Sequence, residues 1–127
     1  MGRESLVRLH HSELSGMDSA ARLILRNSTS WSRAWTRLSG RTAPPQVEFS
    51  THMVLIAAMG TMPSGGFDVT IDSVATTGAE YSIFVRTSKP DEGCPVPAVI
   101  TQPVDVVRVP RRVLPPRFVE ATDVRRC

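Results

Sequence analysis

The segment Gly60-Thr-Met-Pro-Ser-Gly65-Gly66-Phe67 is where this sequence comes nearest to a chemical motif. Its glycines occupy the first and sixth positions of a phosphate-cradling P-loop, but Gly66-Phe67 replaces the required Lys-Ser/Thr. A strand-like alternation follows where that motif needs a helix, so the phosphate reading fails twice. A nucleophile elbow around Ser64 would need glycine two residues earlier, and Met62 stands there. What remains is a shaped turn. Pro63 stiffens its entry, and Gly65 and Gly66 permit positive φ or close backbone approach. Turns carried on rigid strands often serve recognition. Gly60, Met62, Pro63, Ser64, Gly65, Gly66 and Phe67 therefore form a candidate partner-binding loop, set against the plainer reading of a structural hairpin turn.

The remaining reactive side chains do not assemble into a site on paper. His10 and His11 are adjacent, so on a strand they face opposite ways and cannot chelate together. His52 begins an apolar run and has no carboxylate cluster of metal-ligand spacing beside it. Asp68 and Asp72 flank Thr70 on one face of a strand, which reads as a solvated face, because catalytic carboxylates need environments that separate their pKa values. Cys94 precedes a proline in a loop and has no activating neighbour in sequence. Cys94 and Cys127 read as two free thiols in preference to a bridge, which would need an oxidising compartment. The expectation is a protein with no catalytic residues, no metal and no cofactor: not an enzyme.

Composition bounds the rest. The chain has 127 residues, 41% hydrophobic, with mean hydropathy −0.08. That fits one domain spanning 1–127, with a core over 20–119 and a frayed polar tail over 121–127. The net charge is +3 and the pI about 9.5. Lys89 is the single lysine, and the arginines are scattered except for a basic stretch from Arg108 through Arg112 and Arg117 to Arg125-Arg126. A scattered pattern argues for a solvated surface, with an acidic protein partner next, and against nucleic acid. No segment reaches the roughly 20 apolar residues of a membrane span. Met1-Gly-Arg-Glu-Ser opens no signal peptide.

The elements that must position the loop follow from periodicity. Ser5–His11 and Ala21–Arg26 read as strands, expected to pair as a hairpin across a long connection. In 28–39, Trp31, Ala34, Trp35 and Leu38 share one helical face, with Ser28 or Ser30 as N-cap and Gly40 as the C′ residue. The tryptophans read as core anchors. Pro44-Pro45 makes an extended connector, and Val47–Ser50 a short bridge or edge strand. His52–Met59 is an unbroken apolar strand. Phe67–Val74 and Glu80–Thr87 alternate cleanly around Gly78 and predict an antiparallel hairpin. Ala98–Thr101 reads as a short β piece, Pro103–Val109 as a strand and Arg117–Glu120 as a short last one. The fold class is α+β, mostly β: an antiparallel sheet or sandwich of about six or seven strands with one tryptophan-bearing helix packed on it.

The order of these segments resembles the PrcB C-terminal domain family, found in subunits of a secreted bacterial protease complex. The resemblance rests on Trp31–Trp35, Glu48-Phe49-Ser50, Met53–Met59, the turn Gly60–Phe67, Asp68–Val74, Gly93-Cys94 and Val104–Pro110, and runs from Ala20 to Val119. Ser64 and Phe67 stand where the family usually has threonine and tyrosine. The resemblance implies a non-catalytic accessory domain that associates with and stabilises a protease, and an exported setting. Thr61–Phe67 is also similar to the proline-threonine-glycine-aromatic loop of chagasin-like protease inhibitors, which implies an alternative: inhibition by wedging the Gly60–Phe67 loop into an active-site cleft.

Overall fold

Strand β4, His52–Met59, is buried on both faces, and that is why its sequence is apolar without a break from Met53 to Met59. Met53, Leu55 and Ala57 face one apolar core, and Val54, Ile56 and Ala58 face another. The computed structural model describes residues 2–38 and 42–126. Eight strands and one helix order as β1 (Gly2–Arg3), β2 (Val7–Ser12), β3 (Ala20–Leu25), α1 (Ser28–Leu38), β4, β5 (Asp68–Thr77), β6 (Glu80–Pro90), β7 (Val104–Pro110) and β8 (Pro116–Arg125). They form two four-stranded sheets, β1-β5-β6-β8 and β2-β7-β4-β3.

The first core lies between the sheets. Val69, Ile71 and Val74 of β5 and Tyr81, Ile83 and Val85 of β6 meet Met53, Leu55, Val107 and Val109 there. The second core lies between the β2-β7-β4-β3 sheet and the helix, where Trp31, Trp35 and Leu38 cover Val54, Ile56, Val104 and Val106. The architecture is thus a β-sandwich with α1 as a third layer. Both indoles also find acceptors in the proline connector: Trp31 Nε1 donates to Pro45 O at 2.9 Å and Trp35 Nε1 to Thr42 O at 3.0 Å. A buried Trp N–H needs such a partner.

The expected mostly-β fold with one tryptophan-bearing helix holds, as does the β5–β6 antiparallel hairpin, whose register shifts at a bulge between Ile71 and Ser73. Several local expectations are corrected. β2 and β3 do not pair with each other; β2 pairs β7 and β3 pairs β4, since both amphipathic strands gain more by flanking the apolar centre of the sheet. The sheets are not wholly antiparallel, because β8 runs parallel to β6 after the chain crosses through β7. Residues 121–125 of the expected tail continue β8, whose pairing with β6 runs from Pro116 to Arg125, held by backbone bonds that its polar side chains do not advertise. Val47–Ser50 forms turn and coil, with Thr51 N and His52 N both donating to Glu48 O. The helix cap is Asn27, whose Oδ1 accepts from Ser30 N at 2.8 Å, so neither Ser28 nor Ser30 serves. Gly40 lies outside the described residues.

Candidate functional site

The Gly60–Phe67 turn is locked into a ribbon at one end of the sandwich. Gly60 is buried at φ +79°, and a Cβ there would stand 2.8 Å from Ala20 N at the start of β3, so only glycine fits. Thr61 N donates to Asp18 O at 3.2 Å. Met62 and Thr101 then exchange two backbone bonds of 2.8 and 3.1 Å. The buried Thr101 hydroxyl donates to Ser64 O at 2.8 Å, and Gly65 N donates to Pro97 O at 2.9 Å. Gly66 takes φ +94° beneath Val96 and Pro90. A third segment completes the ribbon: Gln102 N donates to Glu13 O at 2.6 Å and Ser15 N to Gln102 O at 3.2 Å. Residues 13–15, 61–65 and 97–102 thus lie side by side, tied by main-chain hydrogen bonds through Glu13, Ser15, Met62, Gly65, Pro97, Thr101 and Gln102.

This end of the molecule presents apolar side chains to solvent. Leu14 is 71% exposed, Ile100 67% and Val99 44%, and Pro63 in the ribbon is exposed too. Of the loop residues singled out from sequence, Thr61 and Pro63 face solvent. Met62, Ser64, Gly66 and Phe67 are half-buried, and Gly60 and Gly65 are buried. The loop residues are brought together, but their role is to hold a platform whose exposed groups come mainly from elsewhere. Leu14, Val99 and Ile100 were not singled out in sequence. Their one visible signal is a set of aliphatic residues outside any alternating segment.

The titratable groups gather on a flank of the sandwich instead. Asp105 of β7 is fully buried. Its carboxylate accepts from Arg8 Nε at 2.8 Å, Arg8 Nη2 at 3.1 Å and Ile71 N at 2.7 Å, and its Oδ1 stands 3.0 Å from His11 Nδ1. Arg8 Nη2 also donates to Ile71 O at 2.9 Å. The physical reason is an open edge. β1 covers β5 only at Ala75 and Thr76, which leaves the Ile71 amide and carbonyl without a strand partner. The other sheet supplies both bonds through Asp105 and Arg8. Hydrogen bonding to Asp105 raises the Arg8 guanidinium further above its ordinary value. His11 Nε2 reaches Asp68 Oδ1 at 2.9 Å, and Asp68 lies 4.0 Å from Arg125.

Asp68 and Asp72 are therefore not a bare solvated pair. Asp72 pairs with Arg86 at 2.9 Å, and Arg86 also reaches Asp123 at 3.0 Å. As the adjacency predicts, His10 turns the other way. It packs edge-on against Trp35 at 5.2 Å, and burial, with His11 adding, lowers its pKa. Tyr81 is pushed well above its ordinary value by burial, with the Glu4 charge adding, so its phenol keeps its proton. Among the described residues, no three His, Cys, Asp or Glu side chains stand together as metal ligands. No helix among them is long and apolar enough to cross a membrane.

Three arginines of the last third are engaged individually. Arg111 donates to Arg26 O and Phe49 O at 3.1 Å, Arg112 to Glu4 at 2.8 Å, and Arg117 lies 3.9 Å from Glu80. The two-free-thiols reading is overturned: Cys94 is disulfide-bonded, and the sequence holds a single other cysteine, Cys127, which lies outside the described residues. Sequence could not decide this, because 33 residues of chain separate the two thiols. β8 runs back beside β6 and brings Arg125 to the Cys94 loop, where Asp91 N donates to Arg125 O at 2.9 Å and Cys94 Sγ lies 3.8 Å from the same carbonyl.

The family resemblance is shown by comparison. The model of the family described as PrcB C-terminal matches residues 53–110, from β4 through the loop and the β5–β6 hairpin to the end of β7. Searches of curated proteins and of solved structures found no match.

Proposed function

We propose, taking the PrcB C-terminal match over 53–110 as the premise, that this chain is a non-catalytic accessory module that docks a protein partner, a protease, through the ribbon end of its sandwich. The observation that carries this reading is the conjunction at that end. A turn whose backbone is fixed by Thr101, Pro97 and Asp18 sits beside Leu14, Val99 and Ile100, which are left in solvent. Exposed apolar groups on a preordered frame suit association, because little ordering entropy remains to be lost on binding. The charged cluster around Asp105 supports the same reading from the other side. Arg8 and Asp105 are spent on the open edge of β5, which accounts for these two without substrate chemistry. The disulfide at Cys94 supports an exported, oxidising setting.

The pinned turn favours a docking face over the chagasin-like wedge. A wedge must stand clear of its frame, whereas Gly65 is buried against Pro97 and Ser64 O is held by Thr101. The test is affinity purification from the native host with the wild type and with Ile100→Asp. The reading expects a protease among the proteins retained by the wild type and its loss from the variant, with unfolding midpoints alike. Equal retention by both, or a wild type that retains no protease, overturns it.

A further inference from the structure

Beside the ribbon lies a cleft of about 380 Å³, within the size range of small-ligand and peptide-side-chain sites. Gly66, Pro90 and Val96, packed on one another, line it together with Glu13, Arg125 and Arg126. The cleft is prebuilt. Gly66 takes φ +94°, where a Cβ would stand 3.0 Å from Val96 Cγ1 and 3.2 Å from the Pro90 ring, and Asp91 N donates to Arg125 O at 2.9 Å. The two guanidinium groups differ. Arg125 has Asp68 at 4.0 Å, whereas Arg126 makes no hydrogen bond or ion pair with any described residue. An exposed cation with no partner among the described residues, lining an apolar, proline-rich cleft, complements a segment that offers a carboxylate next to an aliphatic group. Glu13, also in the lining, disfavours a second acid and can accept from backbone amides of an extended chain.

We propose that this cleft receives an extended segment of the partner protein, with an aliphatic side chain on the Gly66–Pro90–Val96 lining and an acidic side chain on Arg126. This deepens the docking reading above and rests on it. Carboxylate recognition by Arg126 is a separate claim from docking by Ile100, and the two fail separately.

The experiment titrates the intact, oxidised protein with three acetylated, amidated hexapeptides, in which valine alternates with aspartate, asparagine or lysine, and reads affinity by fluorescence anisotropy. Blocked ends leave side chains as the sole source of carboxylate. Arg126→Glu is compared with wild type and with Arg33→Glu, an exposed control on α1. The aspartate peptide is expected to bind tightest, and Arg126→Glu to weaken it on the order of fivefold to tenfold, an effect reduced by salt. Arg33→Glu should leave it unchanged. Equal affinity for the aspartate and asparagine peptides, an unchanged affinity in Arg126→Glu, or no binding of any peptide at millimolar concentration would each overturn the proposal. If Arg126→Glu has no effect while Ile100→Asp still abolishes protease retention, the cleft assignment falls and the docking face stands.

Discussion

The flank at Asp105 and the ribbon at Gly60–Phe67 divide the molecule's chemistry unevenly. The flank links Arg8 to Asp105, Asp105 to His11 and His11 to Asp68, the arrangement one would look for in an enzyme. The ribbon holds glycines, prolines, threonines and aliphatic side chains. Yet Asp105 is fully buried, and with Arg8 it bonds an unpaired stretch of β5, while Leu14, Val99 and Ile100 of the ribbon lie in solvent. The difference teaches that a cluster of ionisable groups must be traced to the backbone it satisfies before it is credited with reactivity. Here a two-residue β1 leaves bare edge, and a carboxylate and a guanidinium from the opposite sheet cover it.

That contrast can be broken by substitution. Asp105→Ala should have the largest effect, a loss of about 3–5 kcal/mol in urea unfolding, because it strips a buried carboxylate from two partners and orphans the Ile71 amide. A change below about 1 kcal/mol would mean that the sheets are held by packing alone and that the cluster is free for another role. Cys94→Ser should come next, lowering stability in urea unfolding by about 2–4 kcal/mol through loss of its disulfide.

Glu120→Gln addresses the opposite flank, where Arg22 of β3 clasps Glu120 of β8 with two bonds of 2.9 Å. It is the same ion-pair type, but exposed, so the loss should be within about 1 kcal/mol. If Glu120→Gln matched Asp105→Ala, burial would not be what separates the two flanks.

His10 provides the smallest and sharpest case. Its pKa is lowered by burial against Trp35, so the unfolded chain takes up its proton first as pH falls. Its stabilising contribution is therefore full above the ordinary histidine value and is lost as pH drops below it. The midpoint of urea unfolding should fall over that window in the wild type and fall less steeply in His10→Gln. A steeper fall in the variant would place the burden on other groups.

Much of this was legible in the sequence, for reasons that can be named. β4 was unmistakable because burial on both faces leaves only apolar residues from Met53 to Met59. The β5–β6 hairpin was legible because one face of each strand meets the core. The helix showed its tryptophan face, but its cap lay one residue earlier, at Asn27, where the side chain competes best for a free amide. The tail was misread because β8 lies at a sheet edge with its side chains largely in solvent, so pairing with β6 left no hydrophobic pattern. Asp105 was passed over inside a valine-rich strand. A lone acid in such a run is itself the signal, since an unpaired buried carboxylate costs too much to persist without partners. The exposed residues of the ribbon were hidden because Leu14 and Ile100 lie far apart in sequence and meet only through Gln102.

The central claim is that the ribbon end meets a partner. The most direct test is site-specific photo-crosslinking in the native host, with the reactive residue placed at position 100 in one protein and at position 33, on the exposed face of α1, in another. The account predicts one discrete adduct from position 100, identified by mass spectrometry as a protease or a subunit of its complex, and no such adduct from position 33. The same adduct from both positions, or from position 33 alone, would contradict it.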